Sequence, residues 1–275
     1  MSGASATVIG GHESGFAATK RSDTWWMGWA LSGTGLFVLF GYLTVRAFTG
    51  MHYFADPYLS PVASPPLFTP ASGYPGAVPI HHAWLGYFPS FWPSFLPQSP
   101  AFFIPGLAIA FRATCYYYRK AYYRAFAASP PACSVKGAPL KYRGETRLLI
   151  FQNLHRYTLY AALLLLMVLA YDAFAALFKN GQFGIGVGTL VLFINVALIG
   201  GYTFGCHSWR HLVGGKLNCF TCDGGSTTRY KVWKKSTWFN QRHMLFAWLS
   251  LFWVCFTDFY VLMVSTGAIK DLNTW

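Results

Sequence analysis

Residues 24–45 read TWWMGWALSGTGLFVLFGYLTV, an uncharged run of 22 residues that decides the class of fold. A helix needs about 20 predominantly apolar residues to cross the hydrocarbon core of a bilayer, and this run is long enough. The composition agrees, because 54% of the 275 residues are hydrophobic and only 11% are charged, whereas soluble domains carry about 25% charged residues. The sequence therefore predicts an all-α integral membrane protein.

Further apolar runs extend this prediction to a bundle of five transmembrane helices. Within a membrane domain spanning residues 24–269, we place the helices at about residues 24–48, 102–126, 148–178, 184–213 and 237–266. Residues 1–23 are polar and show no signal-peptide cleavage site, which predicts a flexible cytosolic tail. Residues 50–100 contain most of the prolines and no Lys or Arg. They cannot form a regular helix, so we predict a proline-rich extracytoplasmic cap.

The basic residues predict the orientation of the chain in the membrane. Of the 21 Lys and Arg residues, 15 fall in segments 112–147 and 210–242, which contain the second and fourth loops. Cytosolic loops carry the excess of basic residues, so we place both loops and the N-terminus in the cytosol and the C-terminus outside. Most of the basic residues behind the net charge of +13 lie in these two segments, each of which is flanked by apolar runs. This distribution argues against nucleic-acid binding and suits anionic lipid heads or an acidic partner.

Cysteine and histidine side chains occur at one depth in the cytosolic half of four predicted helices. Ionisable groups at membrane depth usually serve a function. The fourth loop adds a CFTC motif, for which a structural disulfide is not expected in the cytosol, so we expect reduced thiols or metal thiolates. The candidate metal ligands are Cys115, His155, Cys206, His207, His211, Cys219, Cys222 and His243.

The donor types indicate the kind of metal centre. Thiolate and imidazole together suit zinc or an iron–sulfur cluster, and two Cys with two His define a Rieske-type [2Fe–2S] cluster. Two ligand sets are open. A set inside the bundle would consist of Cys115, Cys206, His155 and either His243 or His207. A set at the membrane interface would consist of Cys219, Cys222, His207 and His211. We favour the membrane-embedded histidines and leave the cysteines open.

Other functions compete with an iron–sulfur protein. A single haem between His155 and His243 would make a b-type membrane cytochrome, but two haems are excluded because no helix carries a His in its outer half. The CFTC motif alone would suit a thiol-redox membrane enzyme. A transporter is a further alternative, although the two halves show no inverted repeat.

Several long motifs resemble a known family. They are RATCYYYRKAYYRAF (112–126), SPPACSV (129–135), KYRGETR (141–147), QNLHRY (152–157), GYTFGCHSWRHLVGG (201–215) and CFTC (219–222). Over about residues 35–265 the chain is similar to the cytochrome b556-like, haem-free membrane anchor of a bacterial succinate dehydrogenase.

This resemblance implies a multi-pass subunit of respiratory complex II in the bacterial inner (plasma) membrane. A flavoprotein subunit with FAD and an iron–sulfur subunit with further Fe–S clusters would dock on the cytosolic face. The succinate chemistry would belong to these partners. The anchor would pass electrons through a Rieske-type [2Fe–2S] cluster to a membrane quinone, either menaquinone or ubiquinone.

A quinone head needs a partly apolar cleft with a few polar groups. The candidate quinone-binding residues are Arg112, Tyr116, Tyr117, Arg119, Arg156 and Trp209. Alternatively, these residues form an interfacial belt of aromatic and basic side chains. We interpret Asp172 and Asp258 as interfacial carboxylates rather than proton carriers, and Cys133 and Cys255 as structural residues.

Overall fold

The computed structural model describes residues 15–71, 73–138, 148–215, 219, 222 and 228–275. In chain order its helices are α1 (Trp25–Thr49), α2 (Ile104–Thr114), α3 (Tyr116–Ala127), α4 (Leu148–Ala175), α5 (Val187–Phe204), α6 (His207–Gly214), α7 (Thr228–Gln241) and α8 (His243–Ser265). Two antiparallel hairpins pair β1 (Phe54–Ala55) with β2 (Tyr58–Leu59) and β3 (Phe178–Lys179) with β4 (Gln182–Phe183). Short 3-10 turns lie at Ile80–His82 and Pro100–Phe102.

Four of the described helices are long and apolar enough to cross a membrane, namely α1, α4 from Asn153 onward, α5 and α8. A shorter apolar stretch, Pro100–Thr114, includes α2. The predicted all-α membrane class is confirmed.

Three of the predicted spans are divided rather than continuous. Cys115 has extended backbone angles (φ −69°, ψ 133°) and separates α2 from α3. Cys206 has similar angles (φ −64°, ψ 141°) and separates α5 from α6. Arg242 (φ −109°, ψ 14°) separates α7 from α8. The continuous helices predicted at 102–126, 184–213 and 237–266 were therefore wrong in this respect, because apolar length does not reveal a break inside a span.

The chain divides into two compact units, Met1–Phe37 with Arg119–Thr146 and Val38–Tyr118 with Arg147–Trp275. Residues 1–14 of the predicted tail and the KYRGETR motif (141–147) lie outside the described residues.

In the first unit, the end of the predicted tail is held in place by hydrogen bonds. The amide of Ala17 donates to the carbonyl of Lys136 at 3.0 Å, and the guanidinium of Arg21 donates to the carbonyl of Cys133 at 2.8 Å. Arg119, a predicted quinone contact, is buried in this unit. Residues 17–21 therefore do not form the free tail that the sequence predicted.

In the second unit, α5 packs closely against its neighbours because glycines face them. A Cβ at Gly201 would lie 2.5 Å from the ring of Phe246, and a Cβ at Gly188 would lie 2.6 Å from the ring of Tyr58. Small residues allow membrane helices to approach each other to this degree. Any larger residue at these two positions would push α5 away from α8 or from the cap.

The second unit contains a buried ion pair between α1 and α8. Arg46 Nε donates to Asp258 Oδ2 at 2.6 Å, and the two side chains are 4% and 0% exposed. Tyr42 and Ser60 also donate hydrogen bonds to this carboxylate. Asp258 is therefore a fully buried structural group, and its interpretation as an interfacial carboxylate was wrong.

Candidate metal centre and quinone pocket

Four buried residues of the second unit form an inner cluster, defined as Cys115, His155, Cys206 and His243. Their exposure is 1–7%. His155 Nε2 lies 2.9 Å from Cys206 Sγ, and Cys115 Sγ lies 3.6 Å from His243 Nε2. Two of the helix breaks coincide with its cysteines, and the third directly precedes His243. A broken helix can direct a side chain inward at a point where a continuous helix would not.

A glycine makes the break at Cys206 possible. A Cβ on Gly205 would lie 2.8 Å from the carbonyl oxygen of Gly201, 2.9 Å from that of Phe239 and 3.1 Å from His243 Nδ1. Only glycine fits this crowded position between α5 and α8. Gly205 therefore allows the backbone to approach Phe239 and His243 closely, and Cys206, the next residue, supplies the thiol.

Aromatic rings fix the two imidazoles of the inner cluster. Phe111 stacks on His155 with ring centroids 4.6 Å apart and planes 6° apart. Tyr202 stacks on His243 at 4.8 Å and 10°, and Phe111 and Tyr202 meet edge to face at 5.4 Å. One pair of touching rings therefore orients both histidines. Neither ring was predicted as a site residue, although Phe111 and Tyr202 each lie four residues before a cluster cysteine.

The Nδ1 nitrogens of the two histidines have different surroundings. His155 Nδ1 lies 2.9 Å from Thr114 Oγ1, an outer contact of the kind that orients a metal-ligating imidazole. His243 Nδ1 is buried and has no hydrogen-bond partner among the described residues. An orphan buried nitrogen is unusual in a protein interior. It leaves a donor available for a group that the chain itself does not supply.

The donor atoms of the inner cluster and their arrangement decide which kind of metal centre these residues fit. Within the described residues, no group of three or more His, Cys, Asp or Glu side chains converges on the position of a single metal ion. A Rieske-type cluster has a different requirement, because each of its two irons takes two protein ligands. The inner cluster supplies two thiols and two imidazoles, and each thiol sulfur lies within 3.6 Å of one imidazole nitrogen. The donor set fits two thiolates and two imidazoles.

The alternative ligand set at the interface, Cys219, Cys222, His207 and His211, is not arranged as a buried cluster of thiols and imidazoles. Cys219 and Cys222 are joined by a disulfide, against the prediction of reduced or metal-bound thiols. Cysteines three residues apart can meet across a tight turn, and compartment alone did not predict this. His207 and His211 are exposed. The exposed Arg156, another predicted quinone contact, places Nη2 3.4 Å from His211 Nε2.

Arg112 is a buried cation beside the inner cluster. Its guanidinium donates to Tyr118 Oη, to the carbonyl of Ala247 at 3.2 Å and to Ser250 Oγ at 3.0 Å. It also lies 4.8 Å from the ring centroid of Tyr202. Among the described residues no carboxylate lies within ion-pair distance of Arg112. The positive charge is therefore held by neutral groups and is free to attract an anion or a carbonyl oxygen.

A cavity of about 80 Å³ extends from Arg112 through the second unit; we call it the central cavity. Its walls are mainly apolar, and its polar lining includes Arg112, Thr203 and Ser64. The hydroxyl of Thr203 is buried without a partner among the described residues. Apolar walls with a few polar groups are typical of a small-molecule site. Thr203 and Ser64 were not predicted as site residues.

The other predicted quinone contacts of the second unit are dispersed. Tyr117 meets the ring of His243 edge to face at 5.2 Å, whereas Tyr116 is 63% exposed. Trp209 Nε1 donates to Ser236 Oγ at 3.0 Å, which ties α6 to α7. Tyr117 thus joins Arg112 near the inner cluster, and Tyr116 and Trp209 do not contribute to the central cavity.

Comparisons with known proteins give two matches. A family model described as actinobacterial succinate dehydrogenase subunit SdhC matches residues 28–267. Among solved structures, a chain of the Mycobacterium smegmatis Sdh1 complex in the apo form is similar, with a TM-score of 0.80 and 42% sequence identity over 94% of each chain. No curated protein gives a significant match.

Proposed function

The chain belongs to the actinobacterial succinate dehydrogenase SdhC family, and we propose that it passes electrons from a soluble iron–sulfur subunit through a Rieske-type [2Fe–2S] cluster to a membrane quinone. As the membrane subunit of an enzyme complex, it partners a flavoprotein subunit and an iron–sulfur subunit. FAD, the remaining clusters and the oxidation of succinate belong to those partners. We propose that they dock on the basic loops, which also suit anionic lipids.

The observation that carries this proposal is the inner cluster. Cys115 and Cys206 would hold one iron, and His155 and His243 would hold the other. Such a group supplies one-electron transfer at a potential raised relative to all-cysteine clusters. The protein buries the four donors, fixes both imidazoles by stacking and leaves His243 Nδ1 unpaired.

Arg112 connects the inner cluster to the proposed quinone site. Its guanidinium lies against Tyr202, whose ring stacks on His243, and it also lines the central cavity. We propose that the quinone head lies in this cavity and accepts a hydrogen bond from Arg112, while the apolar walls hold the ring and exclude water. A buried positive charge here favours electron arrival, because added negative charge is stabilised strongly where the dielectric constant is low.

Replacement of the two cluster histidines tests this function. In the purified complex, the double variant His155→Ala/His243→Ala is expected to lose the paramagnetic signal of a Rieske-type cluster and to stop reducing quinone. Succinate oxidation with a soluble artificial acceptor should continue, because that chemistry lies on the partners. The matched control is His207→Ala/His211→Ala, which removes two exposed imidazoles.

Two outcomes would contradict the proposal. Loss of the cluster signal in the control, with its retention in the test variant, would move the ligands to the membrane interface. An absorption spectrum with a Soret band that shifts on reduction would instead indicate a haem between His155 and His243.

A further inference from the structure

Besides the central cavity, the second unit contains a cavity of about 360 Å³, which we call the outer cavity. Asp172 and His82 provide titratable groups in its lining, and Trp84 and Tyr171 provide aromatic walls. Asp172 lies three residues before the end of α4, at the side of the bundle that the cap covers. The two cavities share no lining residue, and the proposed function uses only the central one.

A side-chain hydrogen bond connects the linings of the two cavities. Ser64, a cap residue that is 1% exposed, lines the central cavity, and its hydroxyl donates a hydrogen bond to Asp172 Oδ2, which belongs to the outer cavity. The walls around Ser64 are apolar, with Pro61 and Val62 beside it. Ser64 and Asp172 therefore form a polar connection between the two cavities, through a wall that is otherwise apolar.

The groups that face Asp172 leave its carboxyl able to exchange a proton. Ser64 bonds to it, and His82 and Tyr171 line the cavity that it faces. Among the described residues no basic side chain forms an ion pair with Asp172. His82 lines the same cavity; partial desolvation and the neighbouring His81 lower the pKa of its imidazole, and Asp56 opposes that shift.

The second outer carboxylate does not have this freedom. Asp258 is fixed by Arg46, Tyr42 and Ser60 and lines neither cavity. These hydrogen bonds and the ion pair occupy both oxygens of the Asp258 carboxylate. Of Asp172 and Asp258, only Asp172 lines a cavity and is placed to carry a proton.

We propose that Asp172 and Ser64 relay protons from the outer cavity to the quinone in the central cavity. The proposal rests on the proposed function, in which the quinone takes two electrons that originate from succinate and two protons. For each proton, Asp172 is protonated from the outer cavity, with His82 as a relay. It then passes the proton to Ser64 Oγ as the hydroxyl proton of Ser64 moves into the central cavity. The hydroxyl rotates back, and the carboxylate is protonated again from outside.

The side from which protons are taken provides the first test. Purified complex is reconstituted in vesicles in one orientation, a pH-sensitive dye is trapped inside, and quinone reduction is started with succinate. Proton uptake for the quinone should occur from the compartment that faces the cap. Uptake in wild type from the compartment that faces the partner subunits would overturn the relay.

Two variants provide the second test. Asp172→Asn and Ser64→Ala should each lower the rate of quinone reduction about 100-fold, as expected when a positioned proton donor is lost. The cluster signal and succinate oxidation by a soluble acceptor should stay unchanged, and Asp172→Glu should restore part of the rate. The matched control is Ser90→Ala, which removes an exposed hydroxyl from the cap; Ser90 lines neither cavity.

The outcomes separate this relay from the proposed function. A wild-type rate of quinone reduction in both Asp172→Asn and Ser64→Ala would overturn the relay and leave the cluster proposal intact. If either variant fails to assemble, Asp172→Glu and the sidedness of wild type decide the question. Absence of quinone reduction in wild type would overturn the proposed function itself and the relay with it.

Discussion

Replacement of Arg46 by Met should destabilise the second unit strongly, because it leaves a carboxylate buried without its cation. In wild type, Asp258 accepts hydrogen bonds from Arg46 Nε at 2.6 Å and Nη2 at 3.3 Å, and from the hydroxyls of Tyr42 and Ser60. Removing one partner of a buried ion pair usually costs about 3–5 kcal/mol. The side chain of Asp258 is 0% exposed, so water cannot replace the guanidinium.

Protonation limits the magnitude of this effect. Neutralising an aspartate at pH 7 costs about 4 kcal/mol relative to its value in water. The variant cannot lose much more than that, since a neutral carboxyl keeps its bonds with the two hydroxyls. We therefore expect a loss of about 3–4 kcal/mol at pH 7.

A double-mutant cycle measures the ion pair itself. Arg46→Met, Asp258→Asn and the double variant are compared with wild type by thermal unfolding of the purified complex, using about 2–4 °C per kcal/mol as the scale. The double variant should be much less destabilised than the sum of the singles, with a coupling energy of about 2 kcal/mol or more. Additivity of the single effects within about 0.5 kcal/mol would refute a coupled buried pair.

Three further predictions concern the site and its frame. Arg112→Gln should lower kcat/KM for quinone by roughly 10- to 150-fold, since a hydrogen bond from a charged donor contributes about 1.5–3 kcal/mol. If the dependence of the rate on quinone concentration were unchanged, Arg112 would not contact the quinone. The double variant Cys219→Ser/Cys222→Ser should keep the iron content and cluster signal of wild type, because the disulfide lies outside the inner cluster. Loss of iron from this variant would instead indicate that these two cysteines are cluster ligands. Asp271→Asn should lower thermal stability by about 1–3 kcal/mol, because its carboxylate accepts hydrogen bonds from Tyr58, Tyr260 and the amide of Gly188; the exposed Lys270→Gln serves as control, and equal melting temperatures for the two would contradict this role.

Features that depend on apolar length were predictable from the sequence. The class of fold, the position of α1 and the shared depth of Cys115, His155, Cys206 and His243 followed from counting residues along apolar runs. The depth of a residue in the membrane depends on its distance along the helix, so counting residues from the end of an apolar run is enough to predict it. The selection of these four residues from eight candidates required the positions of side chains around each helix.

Features that depend on breaks and on contacts distant in sequence were not predictable. The residues around Cys115 have modest helix propensity, but neither Gly nor Pro lies beside it to mark the position of a break. The partner of Asp258 lies 212 positions away at Arg46, and no local pattern connects two such residues. The role of Ser64 was missed for the same reason, since a serine in a proline-rich stretch looks like a turn residue.

The breaks at Cys206 and Arg242 have a mechanical consequence. A continuous helix transmits bending along its axis because each backbone hydrogen bond stiffens the next turn, whereas a residue outside the helical region interrupts that ladder. Across these interruptions the segments are connected by side chains instead of by the backbone ladder. Trp209 of α6 bonds to Ser236 of α7, and Asn240 of α7 donates to the carbonyl of Gly205 at the end of α5.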